Sequence, residues 1–113
     1  KALKKAVKDS DTILFDCITV YLSNLVCAKS VAELAKEDAL YTEAKAKIQA
    51  LIDIVKAANA TVIFVTNEVG AGIVPENHLA RIYRDLSGSV NQQLACASDE
   101  VYAVICGIPM QLK

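Results

Sequence analysis

Residues 61–77 read Thr-Val-Ile-Phe-Val-Thr-Asn-Glu-Val-Gly-Ala-Gly-Ile-Val-Pro-Glu-Asn. An apolar run passes without a break into a polar turn that carries two glycines, and a proline follows. A short, β-branched run of this kind is a strand, and its polar continuation lies at the strand's carboxyl end. In open α/β sheets ligands bind just outside the carboxyl ends of strands. The stretch therefore constrains both the fold class and the place where chemistry is expected.

A second apolar run, Thr12-Ile13-Leu14-Phe15, ends at Asp16. Both runs are continuous rather than alternating, which predicts strands buried on both faces. Val101 to Cys106 reads as a third strand. Gly107-Ile108-Pro109 turns the chain, and Met110 to Lys113 is a candidate edge strand.

Helical spacing fills the intervals. Residues 2–9 form a short helix with Ala2, Leu3, Ala6 and Val7 on one face, and a second helix is expected over 19–29. Ser30-Val31-Ala32-Glu33 matches a capping box. Ile48, Leu51, Ile52 and Val55 recur along a helix over 41–58. Pro75 fits the first position of a further helix, because the N–H it lacks would be unpaired there. Leu79, Ile82, Tyr83 and Leu86 are the core stripe of that helix; Gly88 ends it, and a short helix runs on to Ala97. Strands alternating with helices predict an α/β fold, a mostly parallel sheet with helices on both faces. Three strands make a small sheet, so residues 1–113 read as the C-terminal part of a single larger domain. The first residue is Lys1 rather than methionine, which points the same way.

Composition narrows the function classes. A formal charge of −1 and a pI near 5.8 argue against nucleic acid as a partner. No apolar run approaches the ~20 residues of a membrane span, and Lys1-Ala2-Leu3-Lys4-Lys5 is not a signal peptide. Cys17, Cys27, Cys96 and Cys106 form no C-x-x-C, and the lone His78 stands apart from them. Reduced, largely buried thiols in a cytoplasmic protein are expected, without a zinc site.

The candidate chemical residues sit at the two strand ends. Asp16 can hold Mg²⁺ opposite a phosphate, or serve as a turn or cap residue. Asn67 can orient a phosphate or attacking group, and Glu68 can bind metal or take a proton from an alcohol; turn formation is the alternative for both. Gly70 and Gly72 permit close backbone approach or a positive φ. Asn77, Arg81, Arg84 and Asp85 share the helix face opposite the apolar stripe, where the arginines can clamp phosphate, lie in solvent or meet another subunit. Leu14-Phe15-Asp16 with Ile63 to Asn67 imitates a haloacid-dehalogenase-like phosphatase, but the second aspartate such a site needs is Ile18 here. No G-x-x-x-x-G-K-[ST] phosphate loop occurs; the glycines are Gly70, Gly72, Gly88 and Gly107.

Asp16-Cys17-Ile18-Thr19-Val20-Tyr21-Leu22-Ser23-Asn24-Leu25 resembles [DE]-C-[LIV]-T-x-W-L-[ST]-N-L, with tyrosine for tryptophan. Residues 65–77 resemble V-[ST]-N-E-V-G-x-G-I-V-P-x-[NT]. Leu79 to Asp85 resembles L-x-R-x-[FY]-R-D, Gly88, Asn91 and Gln92 follow as G-x-x-N-Q, and Ser98 to Val101 as A-D-x-V. Together they are similar to the bifunctional adenosylcobinamide kinase/adenosylcobinamide-phosphate guanylyltransferase family of cobalamin biosynthesis, in unbroken order from Ala2 to Lys113. The resemblance implies a RecA-like P-loop NTPase fold with its N-terminal portion missing, and a homotrimer. It implies Mg²⁺-dependent phosphorylation of the adenosylcobinamide hydroxyl by a nucleoside triphosphate, ATP or GTP. GMP transfer from GTP through a phosphohistidine-type intermediate then gives adenosylcobinamide-GDP. Asp16 matches the family's Walker-B-like acidic residue and is assigned to nucleotide and metal. Asn67 and Glu68 are assigned to catalysis, and Arg84 and Asp85 to substrate; Asn67, Glu68, Arg84 and Asp85 are expected to line one cleft. The family's phosphate loop and guanylylated histidine have no counterpart among these residues, and His78 falls in a different segment. The 113 residues alone are expected to be inactive, and the alternative is a truncated product that only folds, oligomerises or binds nucleotide.

Overall fold

The computed structural model describes all residues, 1–113. Its elements are α1 (Ala2–Asp9), β1 (Thr12–Asp16), α2 (Ile18–Cys27), α3 (Val31–Leu34), α4 (Glu37–Lys56), β2 (Thr61–Val65), a 3₁₀ turn (Val69–Ala71), α5 (His78–Ala97), β3 (Tyr102–Ile105) and β4 (Ile108–Gln111). The two apolar runs pair in parallel, with Thr12 opposite Thr61 and Asp16 opposite Val65. The fold is α/β with a parallel strand pair, as the alternation of runs and helices requires.

The core is a seam between three helices. Ile18, Leu22 and Val26 of α2, Leu40, Ala44, Ile48 and Ile52 of α4, and Ile82, Leu86, Val90 and Leu94 of α5 are all buried. Each set repeats every fourth residue, one ridge of a helix surface. Phe15 and Phe64 pack on this seam from the strands, with ring centroids 5.4 Å apart. Burial of such a side chain contributes about 1.5–3 kcal/mol, so this seam is what holds the fold.

Local signals explain the helix starts. Ser30 Oγ accepts from Glu33 N and the Glu33 carboxylate accepts from Ser30 N, the capping box expected from the sequence. Helix α4 starts at Glu37, four residues earlier than expected; Glu37 and Asp38 fill its first turn, where negative charge meets the positive end of the helix dipole. The Cys17 thiol caps α2 by accepting from Val20 N at 3.4 Å.

Several expectations are corrected. The strands are not buried on both faces: Leu14 is 63% and Ile63 50% exposed, and Val65 lies on the same open face. Helices therefore cover one face of this strand pair, not both. An apolar run shows that both faces are apolar, not that both are covered. The third strand does not join the parallel pair; β3 pairs antiparallel with β4 in a separate hairpin. Its two-residue turn, Cys106 and Gly107 at φ 54° and 78°, is the left-handed type that matches strand twist. Lys113 Nζ donates to the carbonyls of Ala95, Cys96 and Ser98, satisfying the free end of α5 and anchoring the hairpin to it.

Helix α5 is one helix rather than two. Gly88 lies inside it, where glycine costs about 1 kcal/mol relative to alanine; the buried neighbours Leu86 and Val90 offset that. Pro75 is not its first residue, since Asn77 is the cap and its Oδ1 accepts from Ala80 N at 3.0 Å. Leu79, expected in the core stripe, is 38% exposed. The four cysteines are free, but Cys27, Cys96 and Cys106 are exposed and Cys17 half-buried. Apolar neighbours misled here: Cys27 and Cys96 fall one and two residues past the buried Val26 and Leu94, off the four-residue ridge.

The polar surface makes a pH-dependent contribution. Hydrogen bonds from the Ser30 backbone and side chain hold Glu33 below the ordinary glutamate value of 4.5, and the hydrogen bond from Lys29 does the same for Glu43. Depressed carboxylates stabilise the fold above their unfolded value, and that stability is lost as pH falls through the lower folded value. Denaturation midpoints are expected to fall between pH 5 and pH 3, and Ser30→Ala to flatten that fall. A pH profile of urea unfolding for both proteins measures it.

Candidate functional site

The parallel pairing sets Asp16 and Val65 side by side at the carboxyl ends of β1 and β2. Thr66, Asn67 and Glu68 follow at once, so Asp16 and this corner share one end of the strand pair. That is the strand-end placement expected for them. The carboxylates of Asp16 and Glu68 are exposed and take part in no hydrogen bond or ion pair with the rest of the chain. Both are free acceptors.

The corner has little apolar anchorage. Thr66, Asn67, Glu68, Ala71, Gly72, Ile73 and Val74 are exposed, with Ile73 96% so. Side chains from two helices hold it instead. Thr19, in the first turn of α2, accepts at Oγ1 from Asn67 N at 3.0 Å and Asn67 Nδ2 at 3.1 Å. Asn91 of α5 accepts at Oδ1 from Thr66 Oγ1 at 2.7 Å, and its Nδ2 donates to the Asn67 carbonyl at 3.1 Å. Tyr83 of α5 donates to the Thr19 carbonyl at 2.7 Å, which joins the two supports. Burial, with the nearby Cys17 and Cys27 thiols, pushes the Tyr83 hydroxyl above its ordinary value, so it stays a donor.

The arginines act on the same loop. Arg84 Nη2 donates to the Gly70 carbonyl at 2.6 Å, and Arg81 Nη1 donates to the carbonyls of Pro75 and Glu76. Both guanidinium groups are thus committed to main-chain carbonyls of residues 70–76. Gly70 and Gly72 do not have positive φ. A Cβ at Gly70 would lie 3.0 Å from Glu68 Oε1, the free end of a flexible side chain, so the steric demand there is slight. Gly72 has ordinary space.

The single cleft expected for Asn67, Glu68, Arg84 and Asp85 is divided. Glu68 and Arg84 both border Gly70, in the loop that Asn67 begins. Asp85 lies about 100° further round the helix than Arg84, within electrostatic reach of Tyr41 on α4, whose hydroxyl is pushed up chiefly by burial and then by Asp85 and Glu37. None of these residues lines either of two shallow cavities, of about 230 and 210 Å³. The first lies between α2 and the start of α5, lined among others by Ser23, Cys27, Leu79 and Tyr83. No three His, Cys, Asp or Glu side chains converge as a metal cage. His78 meets only Glu37, 3.3 Å away on an exposed surface.

Sequence reasoning gave no part to Thr19, Tyr83 or Asn91 in holding the corner. Thr19 and Asn91 stand within quoted motifs, which was the available signal. The partners they choose are fixed only by how α2 and α5 pack.

Comparison with known proteins bears on this arrangement. Residues 1–112 match the family model for cobinamide kinase/cobinamide phosphate guanyltransferase, CobU. The chain belongs to the CobU family. A bifunctional adenosylcobalamin biosynthesis protein CobU from Salmonella typhimurium is 45% identical over 106 residues, covering 91% of this chain and 59% of that protein. The Escherichia coli protein of the same name is 40% identical over 110 residues, covering 95% and 61%. A Pseudomonas aeruginosa bifunctional protein CobP is 30% identical over 111 residues, covering 98% and 58%. The chain thus spans about three fifths of the length of these CobU and CobP relatives. No helix is long and apolar enough to cross a membrane.

Deleting the Tyr83 hydroxyl tests the junction of the two supports. Tyr83→Phe removes the side-chain donor to the Thr19 carbonyl and is expected to lower stability by about 1 kcal/mol. Urea denaturation of the two proteins measures it, and an unchanged midpoint would mean the bond contributes nothing.

Proposed function

We propose that this chain is part of a cobalamin-biosynthesis enzyme of the cytoplasm that phosphorylates adenosylcobinamide and then joins GMP from GTP to the product, giving adenosylcobinamide-GDP. The observation that carries the reading is the shared strand end, where Asp16 stands opposite Val65 and the Asn67-Glu68 corner follows at once, within a family match to residues 1–112. The fold is proposed as the C-terminal part of a RecA-like P-loop domain, assembled as a homotrimer, with ATP or GTP as phosphoryl donor.

Phosphoryl transfer is mostly positioning and charge stabilisation. Asp16 is assigned to Mg²⁺ and nucleotide. A single free carboxylate suits that ion, which commonly takes one or two carboxylates and completes its shell with water and phosphate. Bound there, Mg²⁺ supplies charge neutralisation along the triphosphate. Glu68 takes the proton of the corrinoid's hydroxyl as its oxygen bonds to the γ-phosphorus and the nucleoside diphosphate departs, or else lies on the metal side. Asn67 orients the reacting groups from the same corner. Arg84 is assigned to the substrate side through the loop it holds; Asp85, turned toward α4, is given no part there. The 113 residues contain no phosphate loop, so the cradle for the triphosphate has to come from other residues of the active enzyme.

The reading makes two measurable demands. The 113-residue polypeptide alone is expected to show no turnover with adenosylcobinamide, Mg²⁺ and either nucleotide; turnover above background would contradict it. In the natural polypeptide that contains these residues, Asp16→Asn and Glu68→Gln are each expected to lower the phosphorylation rate, Asp16→Asn by roughly 10²–10³-fold. Melting temperatures should hold, since both side chains are exposed and unpaired. Unchanged kinetics for Glu68→Gln would reduce Glu68 to a turn residue.

A further inference from the structure

The loop after β2 is exposed along most of its length, so apolar burial does not fix the corner that carries Glu68. Its ties are polar, and the central one comes from a single side chain. Asn91 uses both ends of its carboxamide on consecutive residues: Oδ1 on the Thr66 hydroxyl, Nδ2 on the Asn67 carbonyl. On the other side Thr19 holds the amide and the side chain of Asn67. Asn67, the residue before Glu68, is thus gripped from α5 at its carbonyl and from α2 at its amide and side chain. Asn91 is itself half-buried, one residue past the fully buried Val90, so its place follows from the core.

We propose that Asn91 is a positioning residue for Glu68: by holding Thr66 and Asn67 together it fixes the direction in which Glu68 leaves the end of β2. Thr19 is its counterpart on α2. The proposal rests on the reading of Glu68 as the group that serves the substrate hydroxyl. Asn91 touches no reacting atom; it acts through the main chain. Reaction geometry is sensitive to such support, because displacing a catalytic group by about 1 Å can cost 10²-fold in rate. A residue that acts in this way is expected to govern kcat and to leave KM nearly alone.

Asn91→Ala in the natural polypeptide that contains these residues tests it, with two readouts. The first is steady-state phosphorylation of adenosylcobinamide. We expect kcat to fall by about ten-fold or more, with KM for the corrinoid within about two-fold of the parent value. The second is amide hydrogen exchange. We expect the Asn67 amide to exchange about ten-fold faster, while Ile63 and Phe64 within β2 keep their rates. Thr66→Val, which keeps a β-branched side chain and removes only the Oδ1 partner, should move both readouts the same way by less. Unchanged kcat with faster exchange at Asn67 would overturn the proposal, because the corner would be loose without consequence. Faster exchange throughout β2 would also overturn it, because Asn91 would then serve general stability. A parent protein that does not phosphorylate the corrinoid would instead sink the functional reading, and the exchange comparison would still decide whether Asn91 holds the corner.

Discussion

The apolar stripe of α5 sets the rotation of that helix, and the rest of the site follows from it. Ile82, Leu86, Val90 and Leu94 are all buried against α2 and α4. Each contributes about 1.5–3 kcal/mol, whereas each exposed polar tie to the loop contributes about 0.5–1.5 kcal/mol. The stripe therefore decides the orientation, and the polar face of α5 is carried with it. That face presents Arg81, Arg84 and Asn91 to the main chain of the loop after β2. A surface loop with almost no apolar anchorage is held by the opposite side of a core helix.

The parallel pairing of β1 and β2 supplies the second half of the arrangement. Parallel strands place their carboxyl ends together, and the register here sets Asp16 against Val65. Register partners on the two strands are 49 residues apart in sequence, and just ahead of them Thr61 N donates to the Asp11 carbonyl at 2.8 Å. The intervening helices α2, α3 and α4 form the crossover that a parallel connection needs. Thr19 lies at the start of that crossover and Asn91 far beyond it, which is why both can reach Asn67.

Much of this was legible from local chemistry. The two apolar runs gave β1 and β2 nearly to the residue, and Ser30 to Glu33 gave a capping box that the structure contains. The polar continuation of β2 marked the corner and Glu68. Three kinds of fact were not legible. Continuous apolar strands do not reveal whether both faces are covered, and Leu14 and Ile63 are open. Pro75 and Gly88 are strong punctuation marks taken singly, but Asn77 is the better cap and the buried residues around Gly88 carry the helix through it. Polar partners are selected by packing, so the arginines that spacing offered to phosphate are found on main-chain carbonyls, and Asn91 gained its part only when α5 was placed.

The central claim is that a divalent metal and nucleotide engage the shared strand end, beside Asp16 and the corner that Asn91 holds. Paramagnetic broadening of backbone amide signals by Mn²⁺ with GTP, in the natural polypeptide that contains these residues, tests this most directly. The account predicts that the amides of Asp16 and of Thr66 to Gly70 broaden first, and that those of the hairpin turn at Cys106 and Gly107 stay sharp. Broadening confined to another surface, with Asp16 and the corner unaffected, would contradict it.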